Sequence, residues 1–78
     1  MTKILVTGGS GFIGTNLIEH LSKDTQYEIQ NIDTVKPKIS AQDKYWVQVD
    51  LRKHDAVVAA VEAFAPDYVI HLGARTDL

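Results

Sequence analysis

The chain has 78 residues, 45% hydrophobic and 23% charged, with a formal net charge of −2 and no cysteine. That length holds one small domain, and the charge gives no basis for a nucleic-acid or anionic-membrane partner. The missing cysteine excludes disulfides, thiolate metal sites and cysteine nucleophiles.

No apolar run approaches the ~20 residues of a membrane span, and the Ile4-Leu5-Val6 stretch is too short for a secretory signal. The expectation is a soluble, cytoplasmic chain. In chain order, Lys3 to Thr7 is a β-branched and leucine run stopped by glycine, which predicts a strand buried on both faces. From Phe12 to about Lys23, Ile13, Leu17, Ile18 and Leu21 recur at helical spacing. Tyr27 to Asp33 alternates apolar and polar and predicts a second strand. Val35 to Lys44, with a proline, mixed charges and no period, reads as a surface connection. Tyr45 to Asp50 is a third short strand. Arg52 to Phe64 carries an apolar face of Val57, Val58, Ala60, Val61 and Phe64, and Pro66 marks the end of that helix. Asp67 to Ala74 repeats the opening pattern, an apolar strand running into glycine. Strands alternating with helices predict an α/β fold with right-handed crossovers and a parallel sheet.

Gly8, Gly9, Gly11 and Gly14 stand where the first strand hands over to the first helix. A helix that starts there points its first backbone N–H groups outward at the positive end of its dipole. A pyrophosphate reaches them only where the backbone comes close and no Cβ intervenes. On this reading Gly8 and Gly9 permit the tight turn, Gly11 lets the chain approach the diphosphate, and Gly14 lets the helix pack on the strand. Gly9-Ser10-Gly11-Phe12-Ile13-Gly14 fits G-x-G-x-x-G, and Asp33, closing the second strand, follows Gly14 by nineteen residues. A dinucleotide site expects an acid at about 20 residues, where it accepts hydrogen bonds from the adenosine ribose. The same carboxylate repels a 2′-phosphate, which favours NAD over NADP, although Lys36 and Lys38 stand close behind it. Strand-end aspartates also cap turns. A Walker-type loop is excluded, because no Gly-Lys-Ser/Thr follows the glycines.

Thr7 to Gly14, TGGSGFIG, resembles the TGxxGFIG signature of the extended short-chain dehydrogenase/reductase family, the NAD-dependent nucleotide-sugar epimerases and dehydratases. Asp33 fits that family's ribose-binding acid. Asp50-Leu51 resembles its Asp-Ile/Leu pair beside the adenine, and His71-Leu72-Gly73-Ala74 resembles its HLAA segment, with Gly73 where alanine is usual. The resemblance implies a partial Rossmann fold, a parallel sheet of about four strands with flanking helices. It also implies cofactor contacts at Gly8, Gly11, Phe12, Ile13, Gly14, Asp33, Asp50, Leu51, Leu72, Gly73 and Ala74. The implied cofactor is NAD, the implied substrate a nucleotide sugar, and the implied assembly of the parent enzyme a homodimer. Other readings stand beside these. Asp50 also fits the N-cap of the helix starting near Arg52. His71 fits a strand residue whose ring meets a backbone carbonyl, and Arg75 stands where the family's loops approach cofactor or substrate but fits a solvated loop equally. His20 and His54 read as helix surface without metal-ligand spacing, and Trp46, Phe64 and Tyr68 as core.

The family's chemistry depends on a Tyr-x-x-x-Lys pair, in which the tyrosine is general base and the lysine lowers its pKa. Tyr27, Tyr45 and Tyr68 are followed four residues on by Asn31, Val49 and Leu72, none of them lysine. The expectation is therefore the N-terminal part of the NAD-binding domain of a longer enzyme, itself inactive. The alternatives are a stand-alone dinucleotide-binding module or sensor, and another Rossmann enzyme such as a sugar reductase or a member preferring NADP.

Overall fold

In the computed structural model, which describes residues 1–72, the first strand and helix fall close to their predicted places. β1 spans Thr2–Thr7 and α1 spans Phe12–Leu21. β2 follows at Tyr27–Asp33, then a 3-10 helix at Ser40–Tyr45, β3 at Trp46–Gln48, α2 at His54–Phe64 and β4 at Tyr68–His71. All pairings are parallel, in the order β3-β2-β1-β4. β1 is thus paired on both sides, opposite Tyr27 to Ile32 on one and Tyr68 to His71 on the other.

Alternation along β1 divides the core. Ile4 and Val6 meet Ile18 of α1 and Ile29 of β2, with Leu17, Leu21, Tyr45 and Ile70 around them. Leu5 points the other way, against Ile32, Val49 and Phe64, with Val57 and Val61 of α2. The two helices therefore cover opposite faces. The chain moves β1→β2→β3 across the α1 face, then returns across the α2 face to β4, so the three connections share one handedness, as twisted parallel strands require. β1 and β4 are neighbours where the strand order reverses, and the crevice at their carboxyl ends is the topological switch point of the sheet.

Four expectations change. The Val35–Lys44 connection contains the 3-10 helix, too short for a period to register. Its Gln42 is buried and donates to the Thr15 carbonyl of α1 at 3.0 Å, tying the connection to the helix. β3 is three residues long, because beyond Gln48 the Thr34 hydroxyl, at 3.2 Å, takes the Val49 carbonyl in place of a strand partner. α2 starts at His54 rather than Arg52, since the Asp50 carbonyl and carboxylate accept the Lys53 and Arg52 N–H groups at 2.9 and 3.0 Å and hold a turn there. Its N-cap is Lys53, so Asp50 does not cap the helix. β4 begins at Tyr68; Asp67 is outside it and clips the strand to β1, donating to the Lys3 carbonyl and accepting the Lys3 N–H, both at 2.8 Å.

Of the expected core, Phe64 is buried and Trp46 half-buried, but Tyr68 is 65% exposed, lying where neither helix reaches. Ile13 also leaves the predicted apolar stripe: it is 67% exposed in the first turn of α1, past the strand end it would have to cover. His20 and His54 are on the surface, as read.

Candidate dinucleotide-binding site

The turn between β1 and α1 is held by β2. Gly8 donates to the Ile32 carbonyl at 2.9 Å and adopts φ 73°, a left-handed conformation that a side chain makes costly. Gly9 N–H donates to the Asn31 Oδ1 at 2.9 Å, and Ser10 N–H to the Asp33 Oδ2 at 3.0 Å. Gly11 N–H reaches back to the Gly8 carbonyl at 3.4 Å. The next three N–H groups, of Phe12, Ile13 and Gly14, have no hydrogen-bond partner among the described residues; the intrahelical ladder starts with Thr15, whose N–H meets the Gly11 carbonyl at 2.9 Å. These three sit at the positive end of α1, and the first turn carries no acidic side chain.

Their residues, with Gly8, Gly11 and Leu72, line a groove of about 270 Å³. It opens at the switch point, between the β1 turn and the end of β4. Its walls are backbone and apolar side chains, which suits an anion met by amide N–H groups rather than by a cation. The glycines divide by role. A Cβ at Gly14 would lie 2.4 Å from the Cα of Gly9, so the helix is seated on the turn itself and not, as the sequence suggests, on the strand. Among the described residues a Cβ at Gly11 would meet nothing nearer than the Gly8 carbonyl oxygen at 3.7 Å, and Gly11 has ordinary extended backbone. Neither crowding nor conformation among the described residues requires glycine there.

Asp33 is buried, and each carboxylate oxygen already accepts one N–H: Oδ2 that of Ser10, and Oδ1 that of Val35 at 3.2 Å. A carboxylate oxygen accepts two hydrogen bonds, so each keeps an acceptor position. The turn-capping and ribose-binding readings of this acid are therefore compatible. Lys36 and Lys38 are exposed on the segment beyond.

The remaining expected residues divide. Leu72 lines the groove, fixed by its N–H to the Thr7 carbonyl at 2.9 Å. Gly73, Ala74 and Arg75 lie outside the described residues. His71 meets the Thr7 hydroxyl at 2.6 Å through Nδ1, a side chain rather than the expected carbonyl. Asp50 is gripped by Arg52, whose Nε and Nη2 donate to its two oxygens at 3.1 Å each. That side-chain bond, with the Arg52 backbone N–H, lowers the Asp50 pKa to about 2. Leu51 packs against the Leu5 and Phe64 face of the core, so the Asp50-Leu51 pair presents a charged outer residue and an apolar inner one. Among the described residues no cluster of His, Asp and Glu could hold a metal ion, and no helix is long and apolar enough to cross a membrane.

Sequence reasoning missed Asn31. It is fully buried, and in the alternation of β2 a polar residue reads as facing outward. The available signal is its spacing from Asp33: two residues apart in a strand, the pair must share a face.

The chain resembles known proteins over nearly all its length. It is 36% identical over 83 residues to a probable dTDP-glucose 4,6-dehydratase of Sinorhizobium fredii, covering 95% of this chain and 23% of that protein. It is 39% identical over 74 residues to the GDP-6-deoxy-D-talose 4-dehydrogenase of Aggregatibacter actinomycetemcomitans, covering 95% and 21%. Among solved structures, the UDP-glucose 4-epimerase of Brucella ovis in complex with NAD superposes with a TM-score of 0.77 at 27% identity, covering 96% of this chain and 23% of that one. The chain thus spans less than a quarter of the length of these relatives. The model of the NAD dependent epimerase/dehydratase family matches residues 4–78, and the chain belongs to that family.

Proposed function

We propose that these 78 residues are the NAD-holding N-terminal part of an NAD-dependent nucleotide-sugar epimerase or dehydratase. One observation carries the reading: β2 and the turn itself satisfy the N–H groups of Gly8 to Gly11, while those of Phe12, Ile13 and Gly14 open together on the groove at the switch point. In this reading the diphosphate lies on those three amides, beside Gly8 and Gly11. The remaining acceptor positions of Asp33 take the ribose hydroxyls. Asp50 and Leu51 border the adenine, and Leu72 forms the opposite wall. When bound, NAD supplies the hydride acceptor through which a sugar carbon is transiently oxidised and then reduced. The chain's own part is to bind and orient the adenosine and diphosphate. Tyr27 and Tyr68 support no further role, since they begin their strands, at the end of the sheet opposite the turn.

Calorimetric titration of the chain with NAD and NADP tests this. NAD is expected to bind more tightly, and Asp33→Asn, which removes the negative charge at the ribose, to narrow the ratio to within a few-fold. Equal affinities in the unaltered chain would refute the assignment of Asp33.

A further inference from the structure

Asn31 is fully buried in the middle of the sheet, two residues before Asp33 and on the same face. A buried amide is costly unless both of its ends are paired. Here both ends are spent on the turn: Oδ1 accepts the Gly9 N–H at 2.9 Å, and Nδ2 donates to the Ser10 hydroxyl oxygen at 3.1 Å. Space is matched as closely as charge. A Cβ on Gly9 would lie 2.5 Å from that same Oδ1 and 2.9 Å from Ile18 Cδ1, so glycine is needed where the amide enters the turn. Gly9 in turn is the seat of Gly14, the third of the N–H groups that face the groove. A continuous chain of contact therefore runs from the Asn31 amide through Gly9 to the amino end of α1.

We propose that Asn31 is a positioning residue for the diphosphate site. Resting on the dinucleotide reading above, the inference is that its amide sets the place of Gly9 and Ser10, and so the aim of the Phe12–Gly14 amides. Asp33 holds the same turn one residue further along, through Ser10 N–H. β2 thereby presents an amide that shapes the phosphate seat and a carboxylate that faces the ribose, and Ser10 touches both.

The test compares the unaltered chain with Asn31→Leu, which keeps the volume but supplies neither hydrogen bond, and with Ser10→Ala, which removes only the Nδ2 contact and leaves β2 intact. Affinities for NAD and for adenosine, which lacks the diphosphate, are measured beside amide hydrogen exchange. For Asn31→Leu, NAD affinity is expected to fall about tenfold or more and exchange at Gly9 and Ser10 to quicken by a similar factor. Adenosine affinity and exchange in β1 stay within about twofold. Ser10→Ala gives the same pattern with a loss of roughly threefold. Unchanged NAD affinity in both variants overturns the inference and leaves the dinucleotide reading standing, and so does a parallel loss of adenosine, the mark of general damage. Failure of the unaltered chain to bind NAD overturns both.

Discussion

Two glycines a turn apart separate structure from ligand. Gly14 is held by the chain itself, since a methyl group there would enter the backbone of Gly9 at 2.4 to 2.6 Å. Gly11 is held by nothing among the described residues, having open space around the Cβ position and backbone any residue adopts. Gly11→Ala is therefore expected to cost at most about 1 kcal/mol, the difference in N-cap preference, while lowering NAD affinity tenfold or more if the diphosphate passes over it. Gly14→Ala should cost about 2–4 kcal/mol, in the range of overpacking with backbone displacement. Thermal unfolding followed by circular dichroism, paired with NAD titration, checks both; a Gly11 variant that binds NAD normally would remove the ligand from this spot. The motif was legible in the sequence because glycine is the one residue whose absence of a side chain is visible in a one-letter string. Asn31 was not, because strand alternation assigns polar residues to solvent and only the fold shows a second polar layer beneath the turn.

At the level of elements, the sequence places strands and helices well where an apolar face repeats, and poorly where side chains take over from the backbone. β2 matches its expected limits because its alternation ends in an acid and a turn. The 3-10 helix carries no such pattern, and its one fully buried residue is polar Gln42. The amino end of α2 shifts by two residues because Asp50 organises a turn of its own. Its carboxyl end is read correctly from Pro66, but the mechanism is hidden: Ala65 takes φ 52° and ψ 60° and donates its N–H to the Val61 carbonyl. This left-handed terminal position is usually glycine, since a Cβ there costs about 1–2 kcal/mol. Ala65→Gly is expected to raise stability by roughly 0.5–1 kcal/mol, the strain relief outweighing the added freedom of the unfolded chain. Urea unfolding midpoints at constant m-value would show it, and a lower midpoint would mean that the alanine is unstrained.

For the whole molecule, the layering that creates the site also leaves one border bare. Return of the chain across the α2 face puts β4 beside β1 and opens the switch-point groove, but α1 and α2 lie over the other strands. Register with β1 places Tyr68 on the α1 face and Val69 on the α2 face, and they are 65% and 50% exposed. Among the described residues Ile70 of this strand packs against the α1-face core, while Tyr68 and Val69 stay uncovered. Apolar side chains on both faces of a border strand favour pairing with another chain, through side chains and through unpaired backbone groups alike. The isolated 78-residue chain is accordingly expected to self-associate, its weight-average mass in sedimentation equilibrium rising with concentration. Tyr68→Thr with Val69→Thr leaves residues that favour strands at both positions while removing apolar area, and is expected to weaken that association several-fold with the circular dichroism spectrum unchanged. The substituted strand lies on the far side of β1 from Asn31 and Asp33, so NAD affinity should move less than twofold, which separates the border from the site. A chain that stays monomeric at every concentration would show that the bare border is not an adhesive surface, and a loss of NAD binding in the double variant would show that β4 shapes the groove through more than Leu72.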